Sequence, residues 1–336
     1  MPSIHQNVDL GAVQTLQDLE SHKSGQVRPL RAIVSGQSEF AAEVIRLIAR
    51  RGHQIVLFIC TNRDLGSHDV AEKAATEMGV PFIRARSLDE PFVNSLGNLG
   101  VDIGVMAYVT LKAHHTFLSL PIKGTIEYHP SLLPKYRGPS AINWAIINGE
   151  ASTGFTIFTP NDVLDDGEIL YQMSFDILED DSAGSLYHRA LMPEGVKALV
   201  DCMEKVVLSD MKGRLQDSHL ATYQSWCTRQ LARIDWKLSA RQIHNLVRGC
   251  DPKPGAWSTH RGKELVICKS GVKEDQFAAT EAPPGQILHI GELGLTVKCG
   301  QGVIELLDYR NSAGTRRPVN DLISEGKFNL GDVFGA

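Results

Sequence analysis

From Leu30 onward the chain alternates short apolar runs with amphipathic stretches, and this alternation restricts the fold more than any other feature. Residues 30–34 read as a first strand. Residues 35–40 turn into a helix whose apolar side carries Val44, Ile45, Leu47 and Ile48. An apolar strand at 54–60, a helix around 69–78, a strand at 81–85, a helix around 89–96 and a strand at 101–107 continue the series. Strands joined through helices need crossover connections and so pair in parallel, with helices on both faces. The expected class is α/β with a parallel sheet.

The pattern continues with the strand carrying Glu127 and His129, a helix around 140–147, strands at 154–158 and 168–172, and a long helix from about 183 to 208. Residues 210–228 are irregular and polar, as a linker would be. Beyond them come a short helix over 238–247, a turn at 252–257, and β-like runs at 263–268, 285–290, 294–299 and 302–307, most of them separated by glycine. Such runs predict a small barrel. The expected division is an N-terminal extension over 1–28, an α/β domain over 29–209, a linker over 210–228 and a β-rich domain over 229–336. The spacing of Leu10, Val13, Leu16 and Leu19 predicts a short helix suited to packing on a partner subunit, as in a homodimer.

At 336 residues the chain can bury two cores. Its 43% hydrophobic and 22% charged residues are those of a soluble globular protein. No apolar run approaches a membrane span, and residues 1–30 lack the apolar core of a secretory signal, so a cytoplasmic location is expected. The six cysteines are widely spread, with no CxxC pair, and read as reduced and mostly buried. The only close histidine pair, His114-His115, consists of neighbours expected to diverge, so no metal site is expected. Gly36 stands alone in the first turn, without the GxGxxG of a dinucleotide site, so no nicotinamide is expected either. From Thr228 onward there are 15 basic and 12 acidic residues, too weak a bias to argue for nucleic acid.

Residues 124–138 read GTIEYHPSLLPKYRG, and 164–167 read LDDG. Alternation along a strand points Glu127 and His129 to one face and Ile126 and Tyr128 to the other. Pro130 and Pro134 cannot continue a ladder, so His129 sits at a strand end that opens into a loop. In parallel α/β sheets, ligands bind in the crevice outside the strand ends.

The run HPSLLPKYRG at 129–138 with LDDG at 164–167 resembles the folate-dependent formyltransferase family. The resemblance extends from about residue 30 to 335. RIDW at 233–236 and PGAW at 254–257 are similar to the start of that family's smaller, OB-like C-terminal domain. YHPSLLP at 128–134, SAINW at 140–144 and GFTIF at 154–158 are closest in texture to the hydrolase domain of 10-formyltetrahydrofolate dehydrogenase. The resemblance implies a Rossmann-like formyltransferase domain, 10-formyltetrahydrofolate or a related reduced folate as co-substrate, and His129 and Asp165 as the catalytic pair. It also implies that the loop with Met106, Tyr108, Leu111, Lys112 and Ala113, together with Asn161, Asp162, Leu164 and Asp166, forms the pterin pocket. Ser131, Leu132, Leu133 and Pro134 would line the channel near the formyl group.

Physical chemistry points the same way. Formyl transfer to a nucleophile passes through a tetrahedral oxyanion, which needs a donor close by. An imidazole oriented by a carboxylate can supply it and move the proton to the leaving nitrogen.

Glu127 departs from the pattern. Transferring members of the family carry asparagine there, and the dehydrogenase's hydrolase domain carries an apolar residue. An ionised carboxylate only accepts hydrogen bonds, so Glu127 is expected either to be held protonated, to act as a general base, or to orient a cationic substrate. An ion pair to Lys123 or Arg137 is the plainer alternative. The leading expectation is formyl transfer to a small-molecule amine. The alternatives are one-carbon transfer at the methylene level, 10-formyltetrahydrofolate hydrolysis and methionyl-tRNA formylation. Of these, the last is disfavoured by the mixed charge of residues 62–78. A folate-binding protein without catalysis would not need the His129–Asp165 pair. The length leaves no room for an aldehyde dehydrogenase domain, so a complete dehydrogenase is not expected.

Overall fold

The computed structural model describes residues 28–62, 68–273 and 281–335. The helix expected around Leu10 to Leu19 lies outside them.

β1 (Arg31–Gly36), α1 (Ser38–Arg50), β2 (Gln54–Cys60), α2 (Val70–Glu77), β3 (Phe82–Arg84), α3 (Glu90–Leu96) and β4 (Ile103–Ala107) form the expected series. Local chemistry sets several helix starts. Asp69 caps α2 in a reciprocal pair with Glu72, and Asp89 caps α3 ahead of a proline in its first turn. After the short α4 (His115–Leu118) come β5 (Thr125–His129), α5 (Ala141–Ile147), β6 (Ser152–Thr159) and β7 (Glu168–Asp176). The seven-stranded sheet runs β3-β2-β1-β4-β5-β6-β7.

Pairing is parallel from β3 through β5, but β5–β6 and β6–β7 are antiparallel. The expected parallel sheet thus carries an antiparallel edge. His129 pairs with Thr156 and Glu127 with Phe158, so β6 starts beyond the end at which β5 finishes. Helix α5 therefore stays at that end instead of crossing a face, and β6 returns the opposite way. The connection from β6 to β7 holds no helix, which leaves antiparallel pairing.

The long helix consists of α6 (Ala183–Leu186), a π turn (Tyr187–Leu191) and α7 (Met192–Ser209). With α1 it covers one face of the sheet, where Ile126 and Tyr128 join Val34, Phe40, Ile45, Phe155 and Leu199 in the main core. A second cluster on the other face holds Ile33, Ile59, Met106, Leu111, Ala113 and Phe117. Glu127, beside Met106 in register, and His129 project on this second face, as strand alternation requires.

The C-terminal part contains α8 (Ala240–Cys250), β8 (Ala256–His260), β9 (Lys263–Lys273), β10 (Ile287–Ile290), β11 (Leu295–Lys298), β12 (Val303–Arg310), β13 (Arg316–Pro318) and α9 (Val319–Ser324). The order β10-β11-β12-β9-β8 is antiparallel throughout, around Trp236, Ile243, Val297 and Leu306. Backbone bonds from Ile287 N to Asp332 O, Phe334 N to Gly285 O and Gly335 N to Thr259 O tie the C-terminal segment to both edges of this sheet, as a small barrel needs. The turn expected over 252–257 ends two residues early, since Ala256 and Trp257 already pair with β9.

Candidate active site

His129 ends β5 and is buried, with Nε2 2.8 Å from the carbonyl of Tyr136. A carbonyl only accepts, so Nε2 carries the proton and the lone pair of the neutral ring is on Nδ1. Nδ1 faces Asp165 Oδ2 at 3.7 Å. That is too long for a hydrogen bond, but close enough for the carboxylate to stabilise an imidazolium once Nδ1 takes up a proton. Asp165 is itself held by the backbone N–H of Gly138, which donates to Oδ2 at 2.7 Å.

Two loops deliver these groups. Residues 130–138 leave β5 and are pinned from below: Thr156 Oγ1 donates to Ser131 O at 2.7 Å and accepts from Leu133 N, and Gln172 Nε2 donates to Leu133 O at 2.8 Å. Residues 160–167 leave β6 and fold back over the sheet, so that Asp165 reaches the residue at the end of β5. Three residues at the site adopt positive φ without being glycine: Tyr108 (64°), Tyr136 (59°) and Asp165 (53°). Such left-handed conformations are strained and persist only where surroundings impose them.

Glu127 completes the group. Among the described residues none forms a hydrogen bond or ion pair with its carboxyl; Lys123 instead lies near Asp210, and Arg137 pairs with Asp166. The plainer expectation of a Glu127 ion pair is therefore corrected. Burial raises the Glu127 carboxyl well above its ordinary value, and the nearby Asp165 charge adds to the rise. By surface area the residue is half-buried. Of the alternatives for an acid at this position, protonation is the one these surroundings favour.

The other expected site residues fall into three groups. Met106, Leu111 and Ala113 are buried in the second apolar cluster, and Leu133 packs with Phe158 and Ile169. The Ser131 hydroxyl donates to Lys135 O at 2.6 Å, and Tyr108 packs near Phe40 and Tyr187 with the main core. Lys112, Asn161, Asp162 and Leu164 are exposed, whereas Leu132, Pro134 and Asp166 are half-buried. Val163 (51% exposed) and Leu164 (48%) immediately precede Asp165 and leave apolar surface exposed beside it.

Four features were not legible in sequence. Arg137 is almost fully buried and binds Asp166, the Gln216 side chain and the Tyr223 hydroxyl. Residues 210–228, expected as a linker, pair with the loop that follows His129 through Arg137 N to Thr222 O and Gln224 N to Arg137 O, and with β7 through Ile169 and Arg214. The cysteines are free, as expected, but Cys227 Sγ lies 3.7 Å from Cys250 Sγ, a pairing across 23 residues that spacing rules cannot see. His114 and His115 also depart from expectation. Their rings lie 4.2 Å apart, because His114 caps α4 in an extended conformation while His115 begins the helix. Among the described residues no cluster of His, Cys, Asp and Glu could hold a metal, and no helix is long and apolar enough to cross a membrane.

Comparison with known proteins decides the family. The formyl transferase model matches residues 30–203, and the formyl transferase C-terminal domain model matches residues 227–325. The chain belongs to the formyl transferase family. Among its relatives, cytosolic 10-formyltetrahydrofolate dehydrogenase of Mus musculus is 36% identical over 81% of this chain, which spans 31% of that protein. Methionyl-tRNA formyltransferase of Caldanaerobacter subterraneus subsp. tengcongensis is 32% identical over 88% of this chain and 96% of its own length. The N-formyltransferase of Helicobacter canadensis, solved with folinic acid and dTDP-3-aminofucose, shares the fold with a TM-score of 0.64 at 18% identity, covering 83% of this chain and 99% of that one. In this member of the family His129 and Asp165 come together at the end of β5.

Proposed function

We propose that this protein moves a formyl group from 10-formyltetrahydrofolate to the amine of a small molecule. The observation that carries the reading is the convergence of His129, Asp165 and Glu127 on one face of the sheet at the end of β5. Neutral His129 accepts the proton of the attacking amine on Nδ1, and the Asp165 carboxylate stabilises the resulting imidazolium. The protonated Glu127 carboxyl donates to the oxygen of the formyl group as charge develops on it. The same imidazolium returns its proton to the departing folate nitrogen, so the cycle ends with His129 neutral. The exposed apolar pair Val163 and Leu164 would bear on the pterin ring, and the folate supplies only the activated formyl group.

Hydrolysis is the second reading, favoured by the 36% identity to the dehydrogenase over 81% of the chain. In that case water replaces the amine in the same geometry. The test is turnover of 10-formyltetrahydrofolate with and without a panel of amino sugar nucleotides and other small amines. Formylated product that depends on amine supports transfer, whereas formate released at the same rate regardless of amine would move the assignment to hydrolysis. Absence of any folate turnover overturns both.

A further inference from the structure

Gln216 lies in the segment expected to be a mere connector, yet its side chain touches both catalytic loops. A side-chain amide has two N–H donors and two acceptor lone pairs. All four are engaged here. Nε2 donates to the carbonyls of Asp165 (2.9 Å) and Gly167 (2.8 Å), and Oε1 accepts from Arg137 Nε (3.2 Å) and Nη2 (2.7 Å). One end of the amide therefore holds the loop that carries Asp165, and the other holds the loop that follows His129.

The same segment restrains the second partner. Thr222 Oγ1 accepts from Tyr136 N at 2.8 Å, and the Tyr136 carbonyl is the group that fixes the His129 tautomer. Tyr136 and Asp165 are both left-handed, non-glycine residues. Each is thus gripped at its backbone by the crossing segment, at the two places where the site is strained.

We propose that Gln216 is a positioning residue that sets the placement of Asp165 against His129. The inference rests on the reading of those two as the reacting pair. A glutamate at 216 would keep the length and the acceptors for Arg137 but lose both donors to the Asp165 loop, whereas leucine would lose everything except bulk.

The experiment measures kcat and KM for 10-formyltetrahydrofolate in the full chain with Gln216→Leu and Gln216→Glu, each also combined with Asp165→Asn, alongside thermal unfolding. Displacements of about 1 Å at a reacting group cost on the order of 10²-fold. The expected result is kcat lowered by roughly 10- to 100-fold in either single variant, with KM within about 2-fold. In the Asp165→Asn background the Gln216 substitutions should have almost no further effect, because the group they position is already gone. Gln216→Glu gives the answer if Gln216→Leu does not fold. Wild-type kcat in Gln216→Glu, or a loss that simply multiplies that of Asp165→Asn, overturns the inference while leaving the catalytic pair intact. Wild-type kcat in Asp165→Asn alone overturns the reading beneath it.

Discussion

His129 offers Nδ1 to Asp165 across 3.7 Å while Nε2 is committed to the Tyr136 carbonyl. The two ring nitrogens are thus distinguished: one fixes the tautomer and the other keeps its lone pair free. Replacing His129 by Ala should lower kcat by about 10²- to 10⁴-fold, and Asp165→Asn by a similar order. Thermal unfolding should change little in either. Turnover of the purified His129→Ala protein at the wild-type rate would exclude it as the base.

Glu127 provides a test of sign. A carboxyl raised by burial contributes stability that is fully present below its unfolded-chain value of 4.5 and is lost as pH rises through the raised folded value. Glu127→Gln removes that loss, so its melting temperature relative to wild type should climb as pH increases across this window. The rate should follow the same titration. Wild-type activity should fall on the alkaline side as the donor ionises, and Glu127→Gln should keep activity within several-fold without that limb. Glu127→Ala should lose about 10- to 10³-fold. Superimposable pH profiles for all three proteins would make the residue structural.

Arg137 and Gly138 test the crossing segment through stability. Arg137→Ala leaves the half-buried Asp166 carboxylate and the Gln216 side-chain oxygen without their donor, so it should lower stability by about 1–3 kcal/mol in chemical denaturation. Gly138 has φ of 97°, and an added Cβ would lie 2.4 Å from Gln224 O. Gly138→Ala should therefore both destabilise the protein and disturb the N–H that holds Asp165. A Gly138→Ala protein as stable and active as wild type would contradict this geometry.

Cys227 and Cys250 should be the pair that crosslinks first. The hydrogen bond from Cys250 lowers the Cys227 thiol below its ordinary value, and the same bond, with burial, raises Cys250. With oxidised glutathione, Cys227 thiolate attacks the disulfide and releases one glutathione; Cys250 then displaces the second and closes the bond. The sulfurs need only move from 3.7 Å to about 2.05 Å. Intact mass and peptide mapping should show loss of two hydrogens and a 227–250 crosslink, absent in Cys250→Ser. Oxidation that leaves both thiols alkylatable would show that the segment cannot make this approach.

Much of the first domain was legible because local signals agreed with the tertiary result. The apolar run at 54–60 is β2, and Asp69 caps the helix expected there. Strand alternation was enough to place Glu127 and His129 on one face. The reversal after β5 was not legible, since a connection containing a helix resembles a crossover whether or not it returns across the sheet. Asp165 is legible only through the family resemblance, because nothing local says that a loop leaving β6 folds back to β5. The crossing segment is illegible for a similar reason. Gln216, Thr222 and Tyr223 are ordinary polar residues in an irregular stretch, and their partners lie about 50 to 86 positions away. Irregular backbone with long-range side-chain bonds leaves no periodicity to detect.

The two family models stop at residue 203 and resume at residue 227, so the stretch that grips the catalytic loops belongs to neither. This affects how such proteins can be recombined. A chimera that joins this catalytic half to another C-terminal half at either model boundary decides whether residues 204–226 come from one parent or the other. Only the version that inherits its own Gln216, Thr222 and Tyr223 keeps partners matched to Arg137 and Tyr136. Functional exchange between relatives is therefore constrained less by the barrel that is swapped than by the passage of chain leading to it.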